Sequence, residues 1–218
     1  MSKPKIGILG TGGVGQALGS GFASRGHDVK MGSRDDKNEK MAAWVQAAGA
    51  HASGGTFAEA ASFADVIVLA TLWSGTQAAI DAAGPATFEG KVVIDATNPL
   101  VYSPNAPPSL ALGHTDSGGE QVQRWIPNAR VVKCFNIVGN AHMVDPTFDG
   151  GPPDMFIGGN DADAKKTVGD ICTSFGWPPV IDLGGIEAAR LLEPMCITWV
   201  LYGLKSKTWD HAFKLLRK

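Results

Sequence analysis

An α/β fold with a doubly wound, mainly parallel sheet is predicted by three features of this sequence. The first is a short apolar run, Ile6, Ile8 and Leu9, followed by Gly10-Thr11-Gly12-Gly13-Val14-Gly15 and a helix of small residues from Gln16 to Ala23. The second is a series of further apolar runs, of which Asp65 to Ala70 is the clearest. Near-continuous Val, Ile and Leu mark strands buried on both faces. The third is helical patterning between those runs, because alternating strands and helices build a parallel sheet.

Strand, G-x-G-x-x-G and helix, in that order, form the dinucleotide-binding fingerprint of a Rossmann fold. Gly10 lets the chain turn sharply, Gly12 lets the backbone approach a pyrophosphate, and Gly15 lets the helix pack closely on the strand. Free N–H groups and the helix dipole favour the phosphate charge. Glycine-rich turns also serve packing alone, but this one follows the first strand, the context that nucleotide binding requires.

The 218 residues, 44% of them hydrophobic, suffice for one large core. A formal net charge of -2 supplies no basic field to recruit nucleic acid or an anionic membrane. Cys134, Cys172 and Cys196 are widely separated and form no C-x-x-C, so they read as buried reduced thiols of a cytoplasmic protein, with no metal site. A long charge-free stretch, Ile6 to Ser24, is too rich in glycine for a signal peptide or a membrane span.

Taken in order, the second strand is Asp28 to Met31, ending at Gly32-Ser33-Arg34. An NAD site places an acid about 20 residues past the glycines, whereas a 2′-phosphate calls for a cation and hydroxyls. Ser33 and Arg34 supply these, with Lys37 and Thr11 beside them, so NADP is the expected cofactor. Asp35 and Asp36 read as caps of the next helix. Helices are expected over Glu39 to Ala48 and Phe57 to Phe63. The strand Asp65 to Ala70 then delivers Thr71-Leu72-Trp73 to the carboxyl edge of the sheet, where ligands bind in open α/β folds. Ala70, Thr71, Leu72 and Trp73 therefore join the cofactor-binding set. Trp73 either covers a cofactor ring or anchors the helix that runs on through Gln77 to Ala83. Lys91 to Asp95 is the next strand. It delivers Thr97 and Asn98, with donors and acceptors for a nicotinamide carboxamide, and Pro99, which fixes the turn.

Leu100 to Ser117 is proline-rich and long, a lid or surface excursion with an exposed His114. A short helix, Glu120 to Trp125, precedes the strand Arg130 to Phe135. Strand alternation puts Cys134 deep and Asn136 at the mouth, and Asn136 and Ile137 complete the cofactor set. After a loop at Val144 to Pro153 come the strand Met155 to Ile157, a helix from Ala162 to Phe175, and a strand from Val180 to Leu183. From Glu187 the chain is helical, with Pro194 tolerated early or kinking the helix. No linker or repeat divides the chain, so 1–218 is expected to be one domain. Its sheet is extended by the later strands and closed by C-terminal helices over 187–218. The basic tail, Lys205 to Lys218, places Trp209, Ala212, Phe213 and Leu216 at helical spacing. It reads as an amphipathic helix docked on the domain, across a dimer or on a membrane surface.

With these residues placed, the chain resembles the coenzyme F420-dependent NADP oxidoreductases, whose fold recurs as the cytosolic domain of the STEAP metalloreductases. The likeness covers nearly the whole chain. It rests on the glycine turn, Gly32-Ser33-Arg34, the Trp73 turn, Val132-Lys133-Cys134-Phe135-Asn136 and Ala189-Arg190-Leu191-Leu192-Glu193-Pro194, the last two being the more specific. The resemblance implies that Thr11, Ser33 and Arg34 hold the 2′-phosphate and that the loops at Thr71, Thr97 and Asn136 surround the nicotinamide. It implies hydride transfer between NADPH and a deazaflavin (F420) or flavin (FMN, FAD) acceptor. Apart from the resemblance, apolar helices exposed at the C-terminus point to a homodimer, and no integral membrane segment is expected. Lys133-Cys134-Phe135-Asn136 is closer to the STEAP domain and its bacterial relatives than to the archaeal enzymes. The helices that carry haem in STEAP proteins are absent from the chain.

Such a reaction asks mainly for proximity and orientation, in keeping with a sequence that shows no catalytic dyad or triad. Two alternatives stand beside it. One is an NADPH-dependent reductase of a small carbonyl or imine, with His142 or Tyr202 as proton donor. The other is a non-catalytic NADPH-binding redox sensor.

Overall fold

The computed structural model describes residues 3–218. Strand β1 (Ile6–Leu9) is buried throughout, with Ile6 and Ile8 in one core and Leu9 in another. It pairs in parallel with β2 (Val29–Ser33) on one side and β4 (Val66–Leu69) on the other. Beyond β2 lies β3 (Ala52–Thr56), and beyond β4 lie β5 (Val92–Asp95) and β8 (Arg130–Lys133), all parallel. The sheet is prolonged by β9 (Phe156–Gly159), antiparallel to β8, and by β10 (Ile181–Asp182). The order is β10-β9-β8-β5-β4-β1-β2-β3. It reverses at β1, and the crevice above the carboxyl ends of β1 and β4 is where such sheets bind ligands.

Helices cover both faces. On one, α1 (Gly13–Ser24), α2 (Glu39–Ala48) and α6 (Ala162–Ser174) bury Leu18, Phe22, Trp44 and Val168 against Ile8 and Val68. On the other, α3 (Phe57–Phe63), α4 (Trp73–Ala83) and α5 (Gly118–Trp125) bury Phe57, Ile80 and Val122 against Leu9, Ile67 and Val93. Each such side chain contributes about 1.5–3 kcal/mol by leaving water.

Four features differ from the sequence expectation. Strand β3 is additional: Ala-Ser-Gly-Gly-Thr has little β propensity, but a Cβ at Gly54 would lie 2.9 Å from Met41 Sδ, so the bare glycine lets α2 press on the sheet edge. Within Leu100 to Ser117, β6 (Leu100–Ser103) and β7 (Ala106–Leu110) form an antiparallel hairpin outside the main sheet. Pro107 and Pro108 are compatible with β7 because it pairs only with β6. Asp35 and Asp36 do not cap α2. Asn38 does, accepting from Met41 N at 3.0 Å, while Asp35 closes a turn by accepting from Lys37 N at 2.8 Å.

The fourth difference is the tail. Helix α7 (Ala189–Ser206) stops at Lys207, which has φ 56°, and the chain folds back as an irregular strap. Trp209 packs on Trp199, with ring centroids 5.2 Å apart, and on the bare face of Gly203. Asp154 N donates to Phe213 O, and Leu215 N donates to Asp154 Oδ2. Aromatic docking, rather than a helix face, thus holds the strap, with Ala212 and Phe213 half-buried and Leu215 and Leu216 exposed. Among the described residues no helix is long and apolar enough to cross a membrane.

Candidate functional site

At the glycine turn the three fingerprint glycines separate by geometry. Gly10 has φ 130°, and a Cβ there would lie 2.4 Å from Ala70 O, so the turn sits hard against the end of β4. A Cβ at Gly15 would lie 2.2 Å from Gly10 O, which is why α1 can start directly above β1. Gly12 is exposed, and a Cβ on it would meet nothing within 4 Å. It is the N-cap of α1, where no side chain caps the first amides. The missing side chain therefore leaves a cradle at a helix N-terminus with free N–H groups, which suits a pyrophosphate. Gln16 Nε2 donates to Thr11 O at 3.0 Å and steadies the turn.

At the end of β2, Arg34 and Lys37 are exposed and make no ion pair among the described residues. Ser33 is buried, and its hydroxyl is engaged by the backbone of Asp35, accepting from Asp35 N at 3.2 Å and donating to Asp35 O. The cations are open to a phosphate, while Ser33 shapes the turn that presents them.

The loops after β5 and β8 are tied together, and that after β4 is closed on the first turn of α4. Thr71 shares a hydrogen bond with Thr76 at 2.9 Å, and Leu72 is 72% exposed at the N-cap of α4. Trp73 is half-buried and stacks on Trp125 with ring centroids 5.4 Å apart. Thr97 is buried and gives both its amide and its hydroxyl to Asp95 Oδ1, at 2.9 and 2.6 Å. Asn98 Nδ2 donates to Asn136 O at 2.8 Å, and Asn136 Nδ2 returns a bond to Asn98 Oδ1 at 2.9 Å and another to Leu192 O at 3.0 Å. Pro99 and Ile137, their neighbours in sequence, are buried.

Asn136 is therefore not at an open mouth. β8 ends at Lys133 and Phe135 turns left-handed at φ 62°, so strand alternation does not reach it. Its Oδ1 is buried without a partner. A buried acceptor left unpaired costs about 1–3 kcal/mol.

Beneath these loops lies a charged network that the sequence reading missed. Lys133 is fully buried, with Nζ 2.8 Å from Asp95 Oδ2, 2.9 Å from Glu193 Oε1, and donating to Thr97 O at 2.9 Å. Glu193 in turn accepts from the amides of Gly118 and Gly119, both at 2.9 Å, at the start of α5. Burial pushes the Lys133 ammonium down, but the two carboxylates outweigh it and hold it above the usual lysine value. The network joins β5, β8, α5 and α7, and the two most specific sequence motifs meet in it. Cys134 and Cys172 lie nearby with sulfurs 3.6 Å apart, and burial raises the Cys134 thiol well above its usual value. Burial likewise pushes Cys196 up to about 12, so it is an inert core thiol.

A cleft of about 850 Å3 opens beside the glycine turn. Asn140 belongs to its lining, and the same side chain lies 3.2 Å from where a Cβ on Gly13 would be. Tyr102 on the hairpin, Trp199 and Leu204 on α7, and Trp209 on the strap form its walls. His142 and Tyr202 do not line it. His142 pairs with Asp210 at 3.1 Å, and Tyr202 meets the His211 ring edge-on at 4.7 Å. Among the described residues no cluster of metal-ligating side chains occurs.

The profile of the family described as NADP oxidoreductase, coenzyme F420-dependent, matches residues 5–99. The F420-dependent NADP reductase of Methanothermobacter marburgensis is 30% identical over 222 residues, covering 97% of this chain and 97% of that protein. The chain belongs to the F420-dependent NADP oxidoreductase family. A crystal structure of a candidate F420-dependent NADP reductase from Arthrobacter sp. FB24 superposes with a TM-score of 0.92 at 37% identity, over 99% of this chain and 100% of that one. The metalloreductase STEAP3 of Rattus norvegicus is 29% identical over 191 residues, 87% of this chain and 36% of that protein. This family member thus spans about a third of STEAP3, and within the family it carries the fold from β1 to the strap.

Proposed function

We propose that the chain, an NADP-dependent oxidoreductase by its family, transfers hydride between NADPH and the ring of a flavin or deazaflavin seated in the aromatic-walled cleft. The observation that carries this reading is the cleft's position: it shares Asn140 with the glycine turn, so an acceptor there adjoins the nucleotide. The turn Gly10 to Gly15 would hold the pyrophosphate. Arg34, Lys37 and Thr11 would surround the 2′-phosphate on the turn that Ser33 shapes. The loops Ala70 to Trp73, Thr97 to Pro99 and Asn136 to Ile137 would enclose the nicotinamide. Bound NADPH supplies the hydride, and the protein supplies proximity and orientation and excludes water. No acid or base of this chain is required to touch the ring. The exposed side of α7, with Leu191, Leu201 and Tyr202, supports a homodimer.

The test is loss of NADPH absorbance with F420, FMN, FAD and riboflavin in parallel, with NADH as control. Rapid, NADPH-selective turnover with a ring acceptor is the expected result. Tight NADPH binding with no consumption by any of them would replace the reading with a sensor.

Arg34→Ala should weaken NADPH binding by about tenfold or more and leave NADH within about twofold, because a charge-assisted bond to the extra phosphate is lost. Isothermal titration with both nucleotides measures this. Equal losses would remove Arg34 from the phosphate site.

A further inference from the structure

We infer that the acceptor is recognised by its ring alone, as an uncharged planar heteroaromatic, and that no anionic tail is bound. This rests on the cleft being the acceptor site. Its walls are aromatic and apolar: Tyr102, Trp199, Trp209 and the two prolines of β7. Such surfaces bind the face and edges of a ring system.

The charge on the cleft argues against a phosphate or carboxylate tail. Among the described residues no lysine or arginine lines it, and the one carboxylate in its lining is Asp210, whose side chain is 79% exposed. Val200 and Leu204 bring the last turns of α7 to the wall. Helix C-termini carry partial negative charge, the opposite of a phosphate site. Lys205 and Lys207 flank Leu204 and Trp209 in sequence, but they are exposed and do not form the wall. A phosphomonoester carries about -1.5 to -2 at neutral pH and is ordinarily met by Arg, Lys or amide N–H groups. The one acidic or basic side chain in the cleft lining is instead Asp210, whose Oδ1 is paired with His142 at 3.1 Å.

The test uses the full chain loaded with NADP+, titrated with riboflavin, FMN and F420 while tryptophan fluorescence is followed, since Trp199 and Trp209 line the cleft. Steady-state turnover with NADPH is measured alongside. Riboflavin should bind at least as tightly as FMN or F420. Added salt should improve FMN and leave riboflavin unchanged, because it screens repulsion from Asp210. Asp210→Lys should shift preference toward FMN by about tenfold at low salt, with the gain lost at high salt. Asp210→Asn, the milder change, should give a smaller shift of the same sign. FMN or F420 binding about tenfold tighter than riboflavin to the unmodified chain would overturn the inference, as would an Asp210→Lys variant with unchanged preference. Turnover with no ring at all, while NADPH binding stays intact, would overturn the acceptor assignment and this inference with it.

Discussion

Replacing Lys133 with methionine should cost about 3–5 kcal/mol of folding free energy, the range for removing one partner from a buried ion pair. Methionine fills similar space, so the expected loss lies in the charge. Asp95 Oδ2 has no partner other than the ammonium, and Glu193 would keep only the amides of Gly118 and Gly119. Two carboxylates would remain inside the protein with nothing to neutralise them. Set against a total stability of about 5–15 kcal/mol, this is a large fraction, and a fall in Tm of about 10 °C or more follows. The triple variant Lys133→Met, Asp95→Asn, Glu193→Gln should recover most of the loss, because a neutral replacement leaves no unpaired charge. Urea unfolding of the three proteins decides the matter. A single-variant loss below about 1 kcal/mol would mean that the network contributes little to stability. Because the folded pKa of Lys133 is raised, its contribution is complete below about pH 10.4, the unfolded value. It is lost as pH rises through the folded pKa, so the difference between wild type and variant should stay constant through neutral pH.

That network also shows where sequence reasoning runs out. The fingerprint, the strands from Asp65 and Lys91 and the flanking helices were legible because each carries a local pattern: glycines at fixed spacing, apolar runs, helical periodicity. The partnership of Asp95, Lys133 and Glu193 is not local, since the residues lie 38 and 60 positions apart in the chain. A signal was nonetheless present. Asp95 and Lys133 each end a charge-free run of Val and Ile, and Glu193 is the one acid in an otherwise apolar helix between Arg190 and Lys205. A charge in such a setting has to find a partner. Strand β3 was hidden because neighbouring β2, not its own residues, makes it a strand. The tail was misread because helical spacing cannot distinguish a helix face from aromatic residues docked singly, as Trp209 is on Gly203 and His211 on Trp199. The glycine turn was legible in position and geometry, whereas the cleft, assembled from hairpin, helix and strap, was not.

Gly12→Val should abolish nucleotide binding, with a loss of about a hundredfold or more, roughly 3 kcal/mol, and leave a folded protein. The backbone at Gly12 is extended, at φ -77° and ψ 177°, a conformation that valine adopts freely. A Cβ there meets nothing within 4 Å, so the fold has no reason to resist it. The new methyl groups would occupy the space over the α1 amides that a pyrophosphate needs. Gly15→Ala provides the contrast, because its Cβ would lie 2.2 Å from Gly10 O. That collision forces α1 away from β1 and should destabilise the fold by about 1–3 kcal/mol. Circular dichroism and thermal unfolding read the fold, and titration with NADPH reads the site. Separate outcomes, a stable non-binder at Gly12 and a destabilised fold at Gly15, mean that one glycine is kept for the ligand and the other for packing. Retained NADPH binding in a folded Gly12→Val protein would show that the whole turn serves packing, and the nucleotide would then have to lie elsewhere along the carboxyl edge.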